Sequence, residues 1–207
     1  MEGQFKNEKI RIGVFCLICV LACRGKYTTE KQQPIYNISD IQDGDIVYRL
    51  GNGFFSDFFR DMSHVEKKFS HVGIIHKTMK MDSVFVIHAE ADDYSGIGFV
   101  KKEPIDIFLK NVRDWAVYRL TTKKEYQKKI SDYAFQYHKM NIPFDTAFNE
   151  TDSSSFYCSE LVKHCVNNAL STELIKAKTV KNGKAFIAID DTYLIDNVSF
   201  MPIIVEK

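Results

Sequence analysis

Apolar and polar positions alternate in short runs over most of the chain, and two longer stretches carry helical periodicity instead. From Ile41 onward, "IQDGDIVYRL" reads as Asp-Gly turn chemistry followed by a short strand. "GNGFFSDFFRDM" places two glycines before Phe54, Phe55, Phe58 and Phe59, the pattern of a loop and a short amphipathic helix. "FSHVGIIHK" and "MDSVFVIHAEAD" are strands rich in β-branched residues, with a turn between them. "SGIGFVKKEPIDIFL" gives a strand ended by proline, and "WAVYRL" a further strand. "TKKEYQKKISDYAFQYHKM" has the spacing of a long amphipathic helix, with Thr122 as N-cap candidate and Glu125 three residues on. "NIPFDTAFNETDSSS" is loop, and a second helix runs from Cys158 to about Leu170, with Leu161, Val162, Cys165, Val166 and Ala169 on one face. Strands near "FIAI" and "SFMPIIVE" close the chain. Strands, two helices, then strands imply an α+β domain over residues 41–207, with no internal repeat and no dividing linker.

The first 22 residues follow a different logic. Basic "KNEKIR" precedes apolar "IGVFCLICVLA", which is too short to span a bilayer comfortably and has the layout of a signal peptide. It ends in "VLAC", where small Ala22 precedes Cys23. This resembles a bacterial lipoprotein signal, which implies that Cys23 becomes lipidated after cleavage and that residues 23–40 tether the domain. The alternative is an ordinary signal or an N-terminal anchor. The expected location is the cell envelope, with the membrane as a partner and the domain facing the periplasm or the exterior.

That address changes the meaning of the remaining cysteines. Cys16 and Cys19 lie in the signal, so Cys158 and Cys165 are the thiols left in an oxidising compartment. Seven residues apart on one helix, their Cα atoms stand about 10.5 Å apart. A disulfide needs less than about 7 Å. Cys158 is therefore a free thiol at a helix start, where unpaired N–H groups and the helix dipole favour a thiolate. The competing reading is a buried core cysteine.

A nucleophilic thiol needs a base and a group that orients the base. Six histidines are available. His71 starts a strand, and Gly73 on the same strand face leaves room beside its ring. His76 points to the opposite face and reads as an exposed loop-end residue, His64 is in a charged stretch, and His138 and His164 lie within helices. On the neighbouring strand, His88 and Glu90 share a face and both are candidates for the orienting group. Zinc held by His71, His88 and Cys158 is an alternative, although the close-set ligand pairs that announce zinc are missing.

Formal net charge is +1, which gives no bulk field for nucleic acid or an anionic membrane. The basic run "TTKKEYQKKI" reads as a solvated helix face. With 16 Phe and 10 Tyr, the chain has aromatic surface enough for a packed core and a groove for something apolar. No cofactor is expected.

"GDIVYR", "SHVGII", "VIHAEA", "IPFDTAF" and "FYCSELV", in that order, resemble the circularly permuted NlpC/P60 cysteine hydrolases of the YiiX/YebB type, over about residues 41–170. More distantly the chain is similar to the lecithin:retinol acyltransferase group, which shares the order His before Cys. The resemblance implies a circularly permuted papain-like fold, a small antiparallel sheet packed against helices. It implies Cys158 as nucleophile, His71 as base, and His88 as orienting residue ahead of Glu90. It also implies that Tyr157, Phe144 and Asp145 line the substrate site, with Phe144 in place of the tyrosine common in relatives. The expected activity is amide hydrolysis through an acyl-enzyme, with cell-wall peptide as substrate. The alternatives are a thioesterase, lipase or acyltransferase acting on acyl chains, and a non-catalytic lipoprotein that binds peptide or lipid. Replacing Cys23 with Ser is expected to release the protein from the membrane fraction or leave its signal uncleaved; unchanged lipid labelling in that variant would rule the anchor out.

Overall fold

The computed structural model describes residues 40–78, 83–148, 154–181, 183–195 and 200–205. Cys23 and its tether fall outside them. Six of the β-branched stretches pair into one antiparallel sheet. Its strands are β1 (Ile46–Leu50), β2 (His71–Thr78), β3 (Ser83–Ala91), β4 (Gly98–Pro104), β5 (Asp114–Leu120) and β8 (Phe200–Val205), in the order β4-β3-β2-β1-β5-β8. A separate hairpin joins β6 (Thr179–Lys181) to β7 (Lys184–Phe186). The helices are α1 (Phe54–Asp61), α2 (Ile105–Phe108), α3 (Lys124–Lys139) and α4 (Cys158–Leu170).

Strand alternation sorts the apolar residues into two cores, one on each face of the sheet. Ile46, Tyr48, Val72, Ile74, Ile87 and Ala89 point to α3 and α4, where Ile130, Ala134, Leu161, Val162 and Val166 meet them. Val47, Ile75, Val84 and Val86 point the other way, toward Phe108, Leu109 and Trp115. His71, Gly73 and Ile75 share the second face by the same alternation, and so do Val86, His88 and Glu90. α1 is different: four of its eight residues are phenylalanine, and it buries none of them.

Two sequence expectations are corrected. Lys123, not Thr122, precedes α3, and no side chain caps it. "FIAI" is not a strand beyond Phe186. Side chains capture its backbone instead: Ile187 N–H donates to the Tyr157 hydroxyl at 2.8 Å, the Ser159 hydroxyl donates to the Ile187 carbonyl at 2.7 Å, and Ala188 N–H donates to Asp191 at 2.9 Å. With these groups satisfied, no ladder is needed. Residues 186–189 become a strap across the start of α4. A 3-10 turn at Asp190–Thr192 follows, and the Asp190 carboxylate accepts N–H bonds from His64, Val65 and Glu66 at 3.2, 2.6 and 3.0 Å.

Gly73 is required by close approach. A Cβ there would stand 2.4 Å from Val86 Cγ1 and 3.1 Å from His88 Cβ. Gly73→Val is expected to destabilise the fold by about 1–3 kcal/mol in denaturant melts, as overpacking does. Val86→Ala in the same chain should recover part of the loss; a Gly73→Val melt equal to wild type would show that the strands have room to separate.

Candidate active site

Cys158 is the first residue of α4, and the helix start is held from three directions. Tyr157 sits in extended conformation ahead of it, and its N–H donates to the Glu160 carboxylate at 3.4 Å. The Tyr157 ring is buried, with its hydroxyl on the strap. Ser159 bonds to the same strap residue. Cys158 is partly exposed, Cys165 is buried seven residues on, and both are free thiols.

His71 opens β2 and His88 lies within β3, so their rings meet across adjacent strands on the face away from α3 and α4. His71 Nε2 and His88 Nδ1 are 2.8 Å apart. His88 is fully buried, and its other nitrogen, Nε2, lies 2.9 Å from Oε1 of Glu103 on β4. The register β3–β4 sets Val86 opposite Glu103 and His88 opposite Lys101, so Glu103 reaches His88 diagonally. Phe108 packs edge-on against His88 and tilted against His71, with centroids at 5.0 and 5.7 Å. The Arg49 guanidinium lies over the same ring at 4.3 Å.

Glu90 has other partners. Its carboxylate is ion-paired with Arg49 and, at 2.6 Å, with Lys101. Burial opposes its charge, but His71, His88, Arg49 and Lys101 together outweigh burial and hold the carboxyl well below the usual range. Of the two residues expected to compete for His71, His88 makes the hydrogen bond and Glu90 sits toward the groove.

Burial decides the resting protonation state. It pushes the Cys158 thiol up to about 11, against hydrogen bonds from Val72 and Ser159 that favour the thiolate. Burial also pushes His71 well below its ordinary value, helped by the Arg49 charge. His88 is lowered by burial too, although Glu103 opposes the shift. Both shifts favour the thiol and the neutral imidazole over the ion pair. Burial thus works against the thiolate that the helix terminus favours.

Cys158, His71, Arg49 and Glu90 line one groove of about 590 Å³. Its other wall is aromatic, made by Phe54, Phe55, Phe59, Phe144, Phe148 and Phe186. Phe148 links the wall to the helix start, with ring centroids 5.6 Å from Phe59 and 5.2 Å from Tyr157. Of the residues expected at the substrate, Phe144 and Tyr157 line the groove. Asp145 does not: it is buried, its N–H donates to the Phe156 carbonyl and its carboxylate accepts from Ala147 N–H. A short side chain bonding two residues along the backbone shapes a turn there.

His71, His88 and Glu90 bring ligand atoms within 4.8 Å of one another, with Glu90 where the zinc reading had Cys158. As placed, they do not fit a metal. The two imidazole nitrogens face each other at 2.8 Å, whereas two nitrogens on a tetrahedral zinc stand roughly 3.3 Å apart with both lone pairs on the ion. Two cations already occupy Glu90.

Three members of this cluster, Glu103, Arg49 and Lys101, were missed by sequence reasoning; their spacing carries no signal, and strand register alone brings them together. Three of the other histidines have structural partners, and His64 is exposed. His76 is not exposed as expected: it stacks on Phe135 at 4.6 Å and bonds to Ser131. His138 bonds to the Val100 carbonyl, and His164 packs on Phe156.

Residues 40–197 match the model of a family described as permuted papain-like amidase enzyme, YaeF/YiiX, C92 family. Among solved structures, the metalloprotein yiiX from Escherichia coli O157:H7 is similar in fold, with a TM-score of 0.61 and 19% identity over 82% of this chain and 97% of that one. No curated protein matches the chain.

A thiol held near 11 makes a direct prediction about alkylation. The rate of Cys158 labelling by iodoacetamide in the native protein should climb about tenfold per pH unit from 7 to 9, following the thiolate fraction. A rate already level below pH 8 would mean that the thiol is ionised at rest. Cys165 should stay unlabelled until the protein is unfolded.

Proposed function

Because this chain belongs to the permuted papain-like amidases of the YaeF/YiiX type, we propose that it hydrolyses an amide bond with Cys158 as nucleophile, His71 as base and His88 as the residue that orients His71. One observation carries the assignment. A thiol at a helix start shares a groove with a histidine whose Nε2 is bound to a second, buried histidine, leaving Nδ1 for the substrate side.

The chemistry follows from the neutral resting pair. As the Cys158 sulfur attacks the carbonyl carbon, its proton passes to His71, so the thiolate forms only where it is consumed. The carbonyl electrons move to oxygen, and the Cys158 backbone N–H, free at the first position of a helix, faces that charge. His71 then gives the proton to the leaving nitrogen as the C–N bond breaks. A thioester remains. Water, losing a proton to His71, attacks it, and the returning proton restores the thiol.

For substrate, we propose the amide bonds of cell-wall peptides, met at the membrane surface to which Cys23 tethers the domain. The aromatic wall supports a second reading, an amide or ester whose acyl part is apolar, because six phenylalanine rings offer an acyl chain contact area that a peptide backbone does not require.

Purified muropeptides and N-acyl amino acids, incubated in parallel and assayed for newly released amine, separate these readings. Muropeptides should release amine with the wild-type protein. Cys158→Ala and His71→Ala should lower the rate by about a thousandfold or more, and Cys165→Ala should retain it. Turnover of N-acyl amino acids alone would select the second reading, and amine release that survives in Cys158→Ala would end the cysteine-amidase assignment.

A further inference from the structure

Three of the four ring nitrogens in the line His71–His88–Glu103 have a defined neighbour, and only one arrangement of protons satisfies all three. An ionised carboxylate accepts hydrogen bonds and cannot donate them. Two partners keep Glu103 ionised: His88 bonds to it at 2.9 Å, and the Lys101 ammonium stands 3.6 Å away, so the carboxyl is held below its usual range although burial opposes this. His88 must therefore carry its proton on Nε2. A neutral imidazole has one N–H, so His88 Nδ1 is bare and can only accept. Its partner at 2.8 Å is His71 Nε2, which must then carry the proton of that ring. His71 Nδ1 is left bare, and a bare nitrogen is what taking a proton from a thiol requires.

We propose that Glu103 is a positioning residue: by accepting from His88 Nε2 it fixes the tautomers of both imidazoles, and in that way makes His71 Nδ1 the basic atom. The proposal rests on the reading of His71 as base and adds a residue two strands away from it. Without Glu103, His88 could carry its proton on either nitrogen. With the proton on Nδ1, His88 would donate to His71 Nε2, and His71 would carry its own proton on Nδ1, where it cannot serve as base. The surroundings leave no substitute for Glu103. Phe108 of α2 covers both rings with an apolar face. The charges nearby are Arg49 from β1, Glu90 from β3 and Lys101 from β4; Arg49 and Lys101 are spent on Glu90, and none of the three bonds to an imidazole nitrogen in the line.

The test is nitrogen NMR of the full chain labelled with ¹⁵N-histidine, at a pH where both rings are neutral. It reads tautomers and does not depend on turnover. In the wild-type protein both His71 and His88 should be Nε2–H. Glu103→Gln is isosteric and presents either an oxygen or an NH₂ group, so roughly half of His88 should move to Nδ1–H, and His71 should follow in the same proportion. Glu103→Ala should likewise give mixed tautomers in both rings. Lys101→Ala removes a charge but no bond in the line, and should leave both rings Nε2–H. A wild-type protein with His71 in the Nδ1–H form overturns the proposal, and so does a folded Glu103→Ala variant with both rings unchanged. Neither result would touch the assignment of Cys158, which is judged separately by amine release.

Discussion

A buried imidazole has to settle where its proton goes, and in this protein that requirement governs much of the rest. His88 is fully enclosed, so neither ring nitrogen can turn to water. An unmatched donor or acceptor there would cost about 1–3 kcal/mol. The surrounding construction meets the requirement. Gly73 supplies the space beside the ring, Phe108 seals it, and the β3–β4 register delivers a carboxylate to the far nitrogen. Arg49 and Lys101 pair with the second carboxylate of the cluster, Glu90. Removing any one of these would disturb a different link of the same chain of hydrogen bonds.

The start of α4 is built by other means. Here burial and the helix terminus pull the thiol in opposite directions, and burial prevails. A neutral thiol is a quiet nucleophile. Thiolate character is also what makes a cysteine vulnerable to oxidation and exchange. In the proposed mechanism, reactivity is confined to the moment when a carbonyl occupies the groove and His71 can receive the proton.

Local pattern was enough to find the strands of the main sheet and both long helices, and it made Cys158, His71, His88 and Glu90 candidates; the choice of Cys158 as nucleophile and of His88 ahead of Glu90 came from the resemblance. Glu103 was invisible for a physical reason. In "VKKEPI" it is one of three consecutive charges that look solvated, and only its pairing with Val86 on the next strand turns it inward. Register depends on contacts far apart in sequence. The strap at Ile187 was misread as a strand because its apolar alternation is real, but its hydrogen bonds go to the side chains of Tyr157, Ser159 and Asp191. Asp145 was assigned to the substrate from its motif, whereas its carboxylate closes a local turn. The family and the fold could be read from motif order. The proton path could not.

The Asp190 carboxylate joins the chain to itself over 124 to 126 residues, through the backbone of His64, Val65 and Glu66. Contacts of such span form late, after local helices and hairpins are in place. That clasp can close only once residue 190 has been made. The order of assembly, as much as the finished geometry, then decides when the strap can lie across the start of α4.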